Sequence, residues 1–131
     1  MGFLDVKSEG VYLIEERCVG VLARRLLTAD SAEREHWFRE MGSLIADVAR
    51  EEYNMDGYCN AFNWSMLNDR CVLRDTVFID DGRQPEDIVV EIMGNMKPHV
   101  LAKHGFIANE KEKKAFLQGL GGLAEQAKKL F

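Results

Sequence analysis

Residues 30–53, DSAEREHWFREMGSLIADVAREEY, constrain the fold more than any other stretch of this chain. Their apolar members are Trp37, Phe38, Met41, Leu44, Ile45 and Val48. These fall on one face of a helix of about 3.6 residues per turn and fit no strand alternation. Asp30 is a strong N-cap, and Glu33 stands three residues on, where a capping box places its acid. The spacing predicts an amphipathic helix whose apolar face is core, packed against helices drawn from residues 10–28 and 110–131.

The opposite side of that helix carries the most distinctive chemistry. At about 100° per residue, Glu33, His36, Glu40, Asp47 and Glu51 share a sector of roughly 60° beside Leu44. Steps of three, four, seven and four residues make them true surface neighbours. The bland reading is a solvated face, neutralised by basic residues elsewhere in the fold. The sharper one is a docking ridge in which Glu33, His36, Glu40, Asp47 and Glu51 bind a protein with a basic surface.

A third reading makes the ridge a metal site. Glu33-x-x-His36 and His36-x-x-x-Glu40 both occur in iron-binding helical bundles. A ferritin-like centre, however, needs an E-x-x-H from each of two helices, and only one is present. His99 and His104 are five residues apart, so a continuous helix does not bring them to one ion. What remains is Glu33, His36 and Glu40 with one distant histidine, holding iron, manganese or zinc.

The rest of the chain also reads as mostly helical. From Gly10, Val11, Ile14, Cys18, Val21 and Leu22 form one stripe, with Arg24 and Arg25 suited to a helix C-terminus; a short strand over Val11–Ile14 is the alternative. Asn54 to Gly57 predicts a turn, and the spacing of Phe62, Met66 and Leu67 predicts one short helix within residues 58–70. Residues 71–79 suit a strand or a helical turn, too short for periodicity to decide. Asp80-Asp81-Gly82 reads as a turn, and Pro85 as a first helical residue followed by Glu86 and Asp87. Ile88, Val89, Ile92, Met93 and Met96 then form a stripe, which Pro98 ends or kinks. Asn109 caps a last helix, Glu110 to Phe131, with Phe116, Leu120, Leu123, Ala127, Leu130 and Phe131 inward. Gly119, Gly121 and Gly122 interrupt it, marking a bend or a close approach of another backbone.

At 131 residues, one helical domain over 1–131 is expected. The expected fold is mainly α, a compact bundle of about five helices, with a small β element near residues 72–79 as its variant. No apolar run approaches a membrane span, and the N-terminus turns acidic and polar too early for a secretory signal. Three cysteines, an odd count without a C-x-x-C, point to reduced thiols in a cytoplasm. Cys18 reads as core, and nothing local sets Cys59 or Cys71 beside a histidine. There is no Walker loop, dinucleotide-binding glycine fingerprint or G-x-S-x-G. Tyr58, Phe62 and Trp64 suit a core cluster better than a binding patch.

Charge is segregated within a net −5. Residues 30–56 carry eight acids and three bases, and residues 69–91 seven acids and three bases. Residues 92–131 carry three acids and seven bases. This disfavours direct nucleic-acid binding by the whole domain. The expected function is a non-catalytic cytoplasmic interaction module that masks a basic partner surface, as inhibitors, immunity proteins and antitoxins do by class analogy. The alternatives are a helical metal-binding protein or metal-dependent enzyme built on the ridge, and a subunit of a larger assembly.

Overall fold

The computed structural model describes residues 22–59, 63–74, 76–96 and 109–129. The order along the chain is α1 (Leu22–Leu26), α2 (Ser31–Arg50), β1 (Tyr53–Met55), β2 (Trp64–Leu67), β3 (Arg70–Leu73), β4 (Phe78–Asp80), α3 (Pro85–Met96) and α4 (Glu110–Leu120). A 3-10 turn (Gly121–Leu123) and α5 (Ala124–Lys128) follow. The helical stripe expected from Gly10 is described only over Leu22–Leu26; Val11 to Val21, Pro98, His99, His104, Leu130 and Phe131 lie outside the described residues.

The central helix forms as its sequence dictates. The Asp30 carboxylate accepts the Glu33 N–H at 2.8 Å, which satisfies one of the first-turn donors. All six stripe residues are buried, Phe38, Met41, Ile45 and Val48 completely. They pack chiefly against α4, and the strands and α3 fill in around them. The helix expected from Pro85, α3, starts there and buries Ile88, Val89, Ile92, Met93 and Met96. Asn109 caps α4 by accepting the Glu112 N–H at 2.9 Å. That helix does not run on unbroken. It stops at Gly121, whose φ of +60° is left-handed, and restarts at Ala124.

The expectation of a mainly α bundle of about five helices is overturned. The fold is mixed, with two small antiparallel sheets set against the helices. β1 pairs with β4, Tyr53 opposite Asp80 and Met55 opposite Phe78. β2 pairs with β3, Trp64 opposite Leu73 and Met66 opposite Cys71. The short helix expected within residues 58–70 is therefore a hairpin strand instead. Met66 and Leu67 suit a helix over so short a run, but alternation decides the outcome. Trp64, Met66, Cys71 and Leu73 share the face turned to the core, and the Trp64 indole N–H donates to the Tyr58 carbonyl at 2.9 Å. Asn68, at φ +56°, opens the two-residue turn, a conformation asparagine tolerates better than most residues.

Where α2 crosses α4, the backbones meet. A Cβ on Gly119 would lie 2.0 Å from the Arg39 carbonyl oxygen, and one on Gly42 would lie 2.3 Å from that of Phe116. Gly119 thus marks a close approach, one of the two roles its sequence position suggests. Among the described residues, no helix is long and apolar enough to cross a membrane.

Candidate docking surface

The N-terminal half of the ridge on α2 is engaged within the fold. Arg25, at the end of α1, donates from Nε to Glu33 Oε2 at 2.7 Å. That hydrogen bond is the main cause holding the Glu33 carboxyl below its ordinary value, against partial desolvation. The buried Trp37 indole N–H, short of hydrogen-bond geometry, acts on the same carboxylate. His36 Nε2 sits 2.9 Å from the Asp69 carbonyl oxygen. A carbonyl only accepts, so that contact puts the proton on Nε2. Glu40 Oε1 meets Arg70 Nε at 2.8 Å, and the Glu40 side chain is only 17% exposed. Asp69 and Arg70 belong to the turn and start of the β2–β3 hairpin, so the hairpin tip rests on this half of the ridge. The neutralising bases come from Arg25 and Arg70.

Glu33, His36 and Glu40 therefore have three different partners and do not converge. Among the described residues, no group of three or more His, Cys, Asp or Glu side chains is placed to hold a metal ion. The distant histidines that would complete such a set, His99 and His104, lie outside the described residues.

The C-terminal half of the ridge differs. Asp47 has only a loose 3.7 Å contact with Arg50, and both side chains are well solvated. Glu51 closes the helix and is exposed, with no ion pair among the described residues. The chain then reverses through Glu52, at φ +61°. Its carbonyl accepts the N–H groups of Asp81 and Gly82 at 3.0 and 3.2 Å, which ties the end of α2 to the end of β4. Tyr53 stands directly opposite Asp80 in the ribbon. One corner thereby gathers Glu51, Glu52 and Asp80, all exposed and all without an ion pair among the described residues. Tyr53, 38% exposed, shares the face of the ribbon that carries Asp80; Ile79 and Val77, 51% and 61% exposed, lie on the other face of β4.

The corner is anchored by a polar network. The largely buried Asn54 donates from Nδ2 to Asp81 at 3.2 Å and also to Glu91, while its own carbonyl accepts the Met55 N–H at 2.8 Å. Arg83 bridges Asp81 and Glu91, reaching the latter at 2.9 Å. The Arg83 hydrogen bond, before all other causes, holds the Asp81 carboxyl down to about 2. Arg83 is thus committed to Asp81 and Glu91 and leaves Asp80 and Glu52 uncompensated.

Neither described thiol resembles a nucleophile. Cys71 is buried and Cys59 partly so, and burial pushes both thiols up, Cys71 far more. Trp64 and Tyr58 are core; Phe62 lies outside the described residues. Of the five ridge residues, then, Asp47 and Glu51 border the free acidic corner, while Glu33, His36 and Glu40 have partners in the fold. Glu52, Tyr53, Ile79 and Asp80 were not signalled by helical spacing, which ends at Glu51. The alternation of Val77 and Ile79 was the one available hint. Set against known protein families, curated proteins and solved structures, the chain matches none.

Proposed function

We propose that the protein is a non-catalytic interaction module, acting in a cytoplasm, whose acidic corner of Asp47, Glu51, Glu52 and Asp80 receives a basic surface of another protein. The apolar centre of that contact is Tyr53, which shares its face of the ribbon with Asp80. Exposed aromatic and aliphatic groups ringed by charge are the usual anatomy of a protein interface. The carboxylates around Tyr53, of which Glu51, Glu52 and Asp80 carry no ion pair among the described residues, steer a cationic partner, so salt weakens the encounter. The two described cysteines are unpaired, which fits a reducing compartment.

The observation that carries this reading is Glu52. A left-handed residue just past a helix end is most cheaply a glycine, and a side chain there costs about 1 kcal/mol. Glu52 holds that conformation with its carboxylate exposed and in no ion pair among the described residues. Strain kept where the local contacts do not need the side chain points to a role outside the fold. Glu52→Gly retains the carbonyl that Asp81 and Gly82 use. It is expected to raise stability by up to about 1 kcal/mol in denaturant melts while weakening association.

The association is tested with immobilised wild type and the Glu51→Lys/Glu52→Lys/Asp80→Lys variant in extract from the native host. A basic protein should be retained at low salt by the wild type alone and released by high salt. Retention of the same proteins by both forms, or by neither, would sink the reading.

A further inference from the structure

Among the described residues, Arg24, Arg39, Arg74, Lys111, Lys114 and Lys129 form no ion pair, and three of these six gather in one groove. Arg25, Arg34, Arg50, Arg70, Arg83, Lys113 and Lys128 each meet a carboxylate. Arg39, Lys111 and Lys114 form no ion pair among the described residues, and all three are exposed. They line one groove between α2 and the N-terminal half of α4, together with Glu35, Ala115 and Gln118, about 340 Å³ in volume. Arg39 Nη2 reaches Gln118 Oε1 at 3.5 Å, a weak contact that leaves the guanidinium available. The buried Ala115 forms the floor. Lys111 and Lys114 stand one turn apart on α4, at the end whose helix dipole also favours negative charge.

We infer that this groove is a second docking site, for an acidic segment of a partner polypeptide. It is independent of the acidic corner, since no residue is shared. The charge pattern chooses the class of occupant. Glu35 lies in the groove wall, and the Glu110 side chain, 91% exposed, immediately precedes Lys111. A nucleic-acid backbone presents only negative charge and would be repelled at both carboxylates, on a chain that is already net −5. A polypeptide can set its carboxylates against Arg39, Lys111 and Lys114 while placing a basic or amide side chain against Glu35.

The test uses the full chain labelled with 15N. The probe is an alanine-based helical peptide of about 15 residues with glutamates on one face and a single lysine, and a single-stranded oligonucleotide of equal net charge runs in parallel. The expected result is a saturable change of amide shifts confined to Glu35–Arg39 and Lys111–Gln118. Lys111→Glu/Lys114→Glu should weaken peptide binding at least about tenfold, and Arg39→Gln, which removes only one charge, by less. Lys128→Glu/Lys129→Glu changes net charge equally and should leave binding as it was. Shifts that do not saturate, shifts centred elsewhere, tighter binding of the oligonucleotide, or equal loss in the Lys128/Lys129 variant would each overturn the assignment. If Lys111→Glu/Lys114→Glu fails to fold, Arg39→Gln decides, and unchanged peptide affinity in it refutes the site.

Discussion

Gly119→Ala is expected to destabilise the protein by about 3 kcal/mol, although alanine is the better helix former by up to about 1 kcal/mol. The sign follows from what the new methyl group meets. It would lie 2.0 Å from the Arg39 carbonyl oxygen and 2.8 Å from the Ser43 backbone nitrogen. Neither atom belongs to a side chain that can swing away, so α2 and α4 must separate, and the separation loosens the Phe38, Phe116 and Leu120 packing they share. Gly42→Ala meets the Phe116 carbonyl oxygen at 2.3 Å and should behave alike. Because both substitutions push the same helices apart, the double variant should lose less than the sum of the two. Gly94 is the control: in α3, a Cβ there meets nothing within 4 Å, so Gly94→Ala should gain up to about 1 kcal/mol. Urea melts of the variants decide the matter. A Gly119→Ala chain as stable as the wild type would mean that the two helices do not touch backbone to backbone.

The second large effect belongs to Glu112, a buried carboxylate only 3% exposed. Its Oε1 accepts from Arg34 Nη2 at 2.8 Å, and its Oε2 from the Asn109 amide at 2.7 Å. Arg34 in turn donates to the Leu26 carbonyl at 2.6 Å and lies 5.6 Å over the Phe38 ring. One ion pair therefore fastens the end of α1, the first turns of α2 and the cap of α4. Glu112→Ala takes the carboxylate away from a guanidinium whose side chain is 18% exposed, and the expected loss is about 3–5 kcal/mol. The pair itself contributes much less than that, since burying both charges offsets most of their attraction. Replacing both, as Arg34→Met with Glu112→Leu, should accordingly recover most of the stability. A double-mutant cycle measures the difference. If the double replacement is as unstable as Glu112→Ala, the pair has a role in the fold beyond mutual neutralisation.

These residues show how far local pattern reaches. The course of α2, the caps at Asp30 and Asn109, the Pro85 start of α3 and the buried stripes of α2 and α3 followed from spacing within a few turns. Helix geometry is fixed by neighbours three and four residues away, and those neighbours are written consecutively in the chain. The hairpin was not legible, because Trp64 to Leu73 spans strands of four residues in which helical and alternating patterns overlap. Only the partner strand and the core face decide between them. The ridge shows the same division. Its five residues share a sector of α2 by helical arithmetic alone. Which of its carboxylates stay free depends on Arg25, eight residues before Glu33, and on Arg70, thirty residues beyond Glu40. Pairing at such separations depends on how elements pack, and no periodicity encodes it. So helical spacing by itself determined where carboxylates could gather, and the docking of the β2–β3 hairpin, with the chain reversal at Glu52, decided that the free ones gather beside Tyr53 and Asp80.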